Sequence, residues 1–286
     1  MDWLSAIILG IIQGLAEFLP VSSSGHLELG RSLLGIELSG SSGLLFVVTV
    51  HAGTALATVV VFYKDIVSVV QGLIKGHEED RRFAGSILVS MIPAAFVGLL
   101  FEDAIEGLFE DSTLLVGAML VITGLLLLMA DRAKKTHKKV SVADAFAVGI
   151  AQAIAILPGI SRSGATISTS VLLGIDREHA ARFSFLMVVP LIMGKMILDV
   201  ADLASNPGSS NEPLLPLVVG FAAAFVTGLW SCRTMIQLVK RAKLKYFAYY
   251  CFAFKLGADF LNDGANHAAR STPSSPKVYQ YRFIAF

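Results

Sequence analysis

Val142 to Leu157 runs into Pro158-Gly159-Ile160-Ser161-Arg162-Ser163-Gly164 and then into Thr166 to Leu173, and the reading of this stretch decides the fold. Both flanks are apolar, and each is shorter than the roughly 20 helical residues that cross a hydrocarbon layer. Loop charge fixes where they go. The segment 131–139 carries Arg132, Lys134, Lys135, Lys138 and Lys139; Lys64 to Arg82 and Arg233 to Lys245 are similarly basic, so all three face the cytoplasm by the positive-inside rule. The loops Phe101 to Ser112 and Ala201 to Pro213 hold Glu102, Asp103, Glu106, Glu110, Asp111, Asp202 and Glu212 with no Lys or Arg, and fit the outside. A chain that is inside at Asp131 and inside again near Arg182 must return to its starting side. The two flanks are therefore read as half-helices of a re-entrant hairpin that turns at Pro158 to Gly164.

Six further segments suit complete crossings: Leu44 to Tyr63, Ser86 to Leu100, Thr113 to Ala130, Ser184 to Val200, Leu214 to Trp230 and Leu244 to Leu261. The second is short and is expected to extend into its flanks. The same charge logic puts Gly43 outside, which makes Trp3 to Leu34 a second hairpin, entering from the opposite face and turning at Pro20-Val21-Ser22-Ser23-Ser24-Gly25. Polar backbone at that depth requires surrounding protein or a water-filled cavity. An internal repeat supports the pairing of the hairpins. Gln13 and Gln152, Gly25 and Gly164, and Gly35 and Gly174 recur 139 positions apart (152 − 13). Each half comprises a hairpin and three spans, an odd number, so the second half is inverted relative to the first. The expected fold is an all-α integral membrane protein with six transmembrane helices plus two re-entrant helical hairpins in an inverted-topology repeat. Residues 1–261 form one membrane domain, with repeats at about 1–130 and 140–261, and 262–286 form a polar, disordered tail.

Composition agrees. Of 286 residues 55% are hydrophobic and 16% charged, against about 25% charged in soluble domains. Mean hydropathy is +0.69, with long apolar runs rather than the short alternating strands of a barrel. The net charge of +1 points to no partner, and the absence of a basic patch with interleaved aromatics argues against nucleic acid. Met1-Asp2-Trp3 lacks the positive region of a secretory signal and reads as mature protein. Cys232 and Cys251 lack metal-ligand spacing and read as buried, inert thiols.

The polar residues of the hairpins carry the chemistry. Gln13 and Glu17 share a helix face at i,i+4, just before Ser22, Ser23, Ser24 and His26. An ionisable group inside a membrane costs roughly 2.5 to 3.5 kcal/mol on insertion scales, which makes function the default for Glu17 and Arg162. The second turn surrounds Arg162 with Ser161, Ser163 and Thr166. A guanidinium, hydroxyls and glycine-freed amides match the oxygens of phosphate, and the first turn supplies a base or metal ligand, a nucleophile and an acid. His51 and Lys195 also fall within spans. His51 reads as structural, whereas Lys195 stays open between an ion-paired role and a snorkelling one.

Gln13-Gly-Leu-Ala-Glu17-Phe-Leu-Pro-Val-Ser-Ser-Ser-Gly-His26 and Pro158-Gly-Ile-Ser-Arg-Ser-Gly-Ala-Thr166 closely resemble the undecaprenyl-diphosphatase family, also called bacitracin-resistance proteins. The likeness extends to Phe183-Ser-Phe-Leu-Met and covers roughly Trp3 to Leu261. It implies hydrolysis of undecaprenyl diphosphate to undecaprenyl phosphate plus phosphate, recycling the cell-wall carrier lipid, at a site facing the outside of the cytoplasmic membrane. By that resemblance Glu17 is the essential acid, Ser23 the proposed nucleophile, His26 the proton donor or alternative nucleophile, and Arg162 the diphosphate clamp. Ser22, Ser24, Ser161, Ser163 and Thr166 bind phosphate oxygens. A divalent cation, Mg²⁺ or Ca²⁺, is implied, with Glu17 and Gln13 as ligands. Many members carry a second Glu where this chain has Gln13, whose carbonyl can ligate a hard cation but cannot act as a base. The expected partner is a polyprenyl diphosphate lipid, and a homodimer is compatible with the sequence. Ser24-Gly25-His26 also echoes the type-2 phosphatidic-acid phosphatases, but Ser168 stands where their second motif needs His, and that reading fails. A polyprenyl-phosphate flippase is the alternative from another class, because inverted repeats with broken helices are a transporter architecture.

Overall fold

The computed structural model describes residues 1–36, 40–101, 113–205, 214–241 and 243–270, with the side chains of 195 and 258–270 among those left undescribed. The described chain is helical throughout: α1 (Trp3–Ala16), α2 (Ser23–Leu34), α3 (Gly40–Val61), α4 (Tyr63–Lys75), α5 (Glu78–Leu100), α6 (Thr113–Arg132), α7 (Val142–Ile154), α8 (Arg162–Leu172), α9 (Arg177–Leu186), α10 (Val188–Ser205), α11 (Leu214–Lys240) and α12 (Lys245–Arg270). Among the described residues the only β pairing is an isolated bridge between Lys138 and Ile175.

Four helical stretches are long and apolar enough to cross a membrane: Glu78–Leu100, Leu115–Arg132, Arg177–Leu198 and Leu214–Lys240. The bent pair Leu45–Val61 and Tyr63–Lys75, angled by 68°, would make a fifth. This is a multi-pass helical membrane protein. α12 covers the sixth expected span, but its mix of polar residues leaves it outside that set. At about 1.5 Å per residue, α1 (14 residues) and α7 (13 residues) reach only about 20 Å, short of the roughly 30 Å hydrocarbon core.

Several boundaries differ from the sequence reading. Lys64 to Arg82, expected as a loop, is mostly α4 and the start of α5, because Ile66, Val69, Val70, Leu73 and Ile74 recur at helical spacing among the charges. The span expected from Ser184 begins earlier, within Arg177–Leu198, and carries a turn at Met187, where α9 passes into α10. α11 continues through Arg233 to Lys240, and 262–270, expected in the disordered tail, extend α12. Ala265, Ala268 and Ala269 favour helix there, and Pro273 lies just beyond. Most of the two acidic loops, residues 271–286 and the Lys195 side chain fall outside the described residues.

Small residues let the helices approach closely. Gly10 and Gly14 of α1 face Gly220 and Ala224 of α11, which is clasped on its other side by Gly53 of α3. Gly149 of α7 lies against the backbone of Ser90 on α5, and Gly124 of α6 against Phe252 of α12. Two cations tie down the ends of helices. Arg177, buried, donates to the carbonyls of Ala130, Asp131 and Ala133 at 3.0, 3.1 and 3.1 Å, satisfying the orphan C-terminus of α6. Lys138 donates to the carbonyl of Leu173 at 3.1 Å and to Asp144 at 2.8 Å, joining the ends of α7 and α8.

Candidate active site

Each polar group reaches the site through a helix end. Glu17 is the C-cap of α1, still helical at φ −64°, with its N–H on the carbonyl of Gln13. The i,i+4 register therefore holds, and Gln13 Nε2 donates to Glu17 Oε2 at 3.0 Å. The chain then turns through Phe18 to Ser22. Ser22 has φ 70°, a left-handed conformation that costs an L-residue roughly 1–2 kcal/mol. In the second turn Gly159 takes the positive φ, 91°, without that cost. The second turn has one more residue between its Pro and its Gly, and the tighter first turn places its left-handed residue directly before α2.

α2 begins at Ser23, whose Oγ donates to Glu17 Oε2 at 2.9 Å. Ser161 caps α8 by accepting from the Gly164 N–H at 3.2 Å, and its own N–H donates to Thr123 Oγ1 of α6 at 3.1 Å. This fixes Arg162 at the first helical position, from which Nη2 pairs with Glu17 Oε1 across 145 residues of sequence. Glu17 is 8% exposed and both of its carboxylate oxygens are engaged: Arg162 on one, Gln13 and Ser23 on the other. Arg162 keeps Nη1 buried without a hydrogen-bond partner. The turns also echo one another in hydroxyl pairs, Ser22 with Ser24 at 3.3 Å and Ser161 with Ser163 at 3.2 Å.

These groups border a cavity of about 70 Å³ lined by Glu17, Ser23, Ser24, Ser161, Arg162 and also His51 and Gln152. Ser163 and Thr166 instead line a smaller crevice on the far side of the Glu17–Arg162 pair. Ser22 is buried beside Ser24. His26 does not line the cavity. Its Nδ1 donates to the carbonyl of Ser22 at 2.8 Å, so in the neutral ring Nε2 accepts from Tyr250 OH at 2.8 Å, and the ring stacks on Phe254 at 4.1 Å. The residue reaches α12 rather than the ion pair.

Two cavity residues carried no site assignment from sequence. His51, on α3, brings Nε2 to 4.0 Å from Glu17 Oε2 while Nδ1 bonds the Val47 carbonyl at 2.9 Å. Its only sequence signal was an imidazole within a span. Gln152, 2% exposed, has neither amide atom hydrogen-bonded, and its signal was the repeat relation to Gln13.

Among the described residues no group of three or more His, Cys, Asp or Glu could hold a metal. The oxygen donors on the cavity are the Glu17 carboxylate, the orphaned Gln152 Oε1 and the hydroxyls of Ser23, Ser24 and Ser161, while Gln13 Oε1 is orphaned and fully buried. That set suits a hard cation that completes its shell with phosphate oxygens and water, as Mg²⁺ does.

With a buried carboxylate, a hydroxyl and a guanidinium assembled from two separate turns, the comparisons with known proteins become specific. The profile of the family described as bacitracin resistance protein BacA matches residues 6–257. The chain belongs to that family. An undecaprenyl-diphosphatase of Christiangramia forsetii is 56% identical over 259 residues, covering 90% of this chain and 97% of its own. One from Bacteroides fragilis is 47% identical, covering 88% and 95%, and one from Rubrobacter xylanophilus 42%, covering 88% and 96%. The match spans both turns.

Proposed function

We infer that this BacA-family chain is an undecaprenyl-diphosphate phosphatase, releasing phosphate from undecaprenyl diphosphate and returning undecaprenyl phosphate for cell-wall synthesis. The observation that carries the reading is the convergence of Glu17, Ser23 and Arg162 on one buried cavity. Substrate phosphate displaces Glu17 from Arg162, which then clamps the diphosphate with Nη1 and Nη2. The freed carboxylate takes the Ser23 proton, and Oγ attacks the terminal phosphorus as the bridging P–O bond breaks. The leaving group is itself a phosphate, whose second pKa is about 6, so it departs as an anion without a donated proton. His26 is accordingly not needed as an acid and holds α2 against α12. Glu17 then loses the Ser23 proton to solvent as the lipid phosphate leaves, and the restored carboxylate takes a proton from a water that attacks the phosphoserine, passing it to Ser23 Oγ as inorganic phosphate departs.

A divalent cation, Mg²⁺ or Ca²⁺, would be held by Glu17 and Gln13, with Gln152 beside them, and would neutralise the diphosphate charge when bound. Ser24 and Ser161 contact phosphate directly, and Ser22, Ser163 and Thr166 hold the turns around it. In this reading the two turns belong to re-entrant hairpins of an inverted repeat within six spans. The crossed packing of α1 on α11 and α7 on α5 supports that arrangement, as does the positive φ shared by Gly35 and Gly174. We read the basic segments as cytoplasmic by the positive-inside rule, which favours a chain in the cytoplasmic membrane with its cavity opening outward.

The test is phosphate release from undecaprenyl diphosphate by purified protein, with trapping of a phosphoryl group on Ser23. Glu17→Ala and Arg162→Ala are expected to abolish release; full activity in both would defeat the proposal. Turnover retained in Ser23→Ala would replace the covalent step by direct attack of water.

A further inference from the structure

The cavity at Glu17 has a volume of about 70 Å³. At roughly 10–15 Å³ per water on that measure it holds a few waters or a phosphate group, and it falls far short of the roughly 300–1,000 Å³ of sites that enclose larger ligands. A polyprenyl chain bonded to a phosphate seated there must leave the cavity through its wall. Ile156 and Leu157, just before the second turn, form that wall, and both also line a second hollow of about 540 Å³ between α5 and α7.

Every residue of the second hollow is apolar. On α5 it is bounded by Ile92, Pro93 and Phe96, and on α7 by Phe146, Ile150 and Ile154. The local sequence explains the opening. Gly149 lets α7 lie directly on Ser90, where a Cβ would run into the backbone. One turn further along, Pro93 has no N–H for the Val89 carbonyl and carries a short side chain. Phe96 and Phe146 are 59% and 47% exposed, so the hollow is open along its length to surrounding lipid.

We propose that this hollow seats the first isoprene units of the substrate, so that the chain runs along α7 while its diphosphate occupies the Glu17 cavity. The proposal rests on the phosphatase reading for the identity of the headgroup. Lipid tails are as apolar as the hollow, so the seat adds little by hydrophobic transfer. It acts by orienting the terminal phosphorus toward Ser23.

The experiment uses the full chain in phosphatidylcholine vesicles with three diphosphates, dimethylallyl, farnesyl and undecaprenyl, bearing one, three and eleven isoprene units. Ile150→Trp fills the hollow without touching the cavity. The expected result is a fall in kcat/KM of about tenfold for the two longer substrates, the scale of a methylene or two misfitting a hydrophobic pocket. The fall is carried by kcat, because the seat orients rather than binds. Dimethylallyl diphosphate, whose single unit is used in passing the Ile156 and Leu157 wall, should be unaffected. An equal change for all three, or none, overturns the proposal. Ile150→Cys gives a readout that does not require turnover. Maleimide labelling there should be slowed by a non-hydrolysable farnesyl thiodiphosphate and not by pyrophosphate. Slowing by neither, or equally by both, also overturns it, the former meaning that bulk acyl chains fill the hollow. If wild-type protein releases phosphate from none of the three, the phosphatase reading fails while the labelling result still decides the seat.

Discussion

The Glu17–Arg162 pair can be tested by a double-mutant cycle. The side chains are 5% and 17% exposed, so each single substitution strands a charge away from water. Breaking such a pair typically costs about 3–5 kcal/mol, most of it the uncompensated charge left behind. Glu17→Ala strands the guanidinium, and Arg162→Ala strands a carboxylate left with the Gln13 and Ser23 hydrogen bonds and with His51 Nε2 at 4.0 Å. The double variant leaves neither charge, and should be more stable than the two losses predict by about 3 kcal/mol, the upper end of measured couplings. Reversible unfolding by SDS in mixed micelles reads all four proteins on one scale. Strictly additive losses would mean that the pair is not formed in the membrane-embedded protein, and the account of Arg162 being handed from carboxylate to substrate would fall with it.

Other expectations follow from the same geometry. Glu17→Gln should lower kcat by about 10²–10⁴ yet tighten binding of a non-hydrolysable diphosphate, because Arg162 no longer has a competitor; weaker binding in a titration would contradict this. Gly159→Ala should destabilise by at least about 1 kcal/mol, because φ is 91° and the new Cβ meets the Val116 backbone, whereas Ser22→Gly should be neutral or stabilising by up to about 1 kcal/mol. Denaturant midpoints of the pair decide it. At the N-cap of α9, burial would raise the Asp176 carboxyl, but hydrogen bonds from the His179 and Glu178 N–H groups outweigh it and hold the pKa below the usual value. A carboxyl lowered in the folded state contributes stability fully above its unfolded pKa of about 3.9 and loses it as pH falls through the lowered value. Asp176→Ala should therefore destabilise at pH 7 by about 1 kcal/mol and converge with wild type in acid; a difference independent of pH would count against it.

What could be read in advance follows from which signals are local. Pro, Gly and Ser clusters between apolar runs too short to cross announced both turns, and Glu17 and Arg162 stood out because charges are expensive there. Pairing them needed only the repeat. His51 gave no such signal, since its approach to Glu17 depends on how α3 rotates against α1. His26 went the other way: it sits in a strong motif, yet its ring is claimed by Tyr250 and Phe254 from α12, a contact 224 residues away that no local pattern encodes. α4 was hidden because basic residues on an amphipathic helix look the same as a basic loop to a charge count. The turn at Met187 falls within an apolar run, marked only by Pro190, which has no N–H for the Leu186 carbonyl.

The distance in sequence between Glu17 and Arg162 also bears on biogenesis. At about 5–20 residues per second, the 145 residues between them take roughly 7–30 s to synthesise. Through that interval the first hairpin carries a carboxylate without its guanidinium partner, with His51, among the described residues, as the one nearby group able to hold a positive charge. A nascent chain halted before Arg162 would hold a carboxyl group that is either protonated or still wet. The ion pair forms only when both halves of the protein have been made.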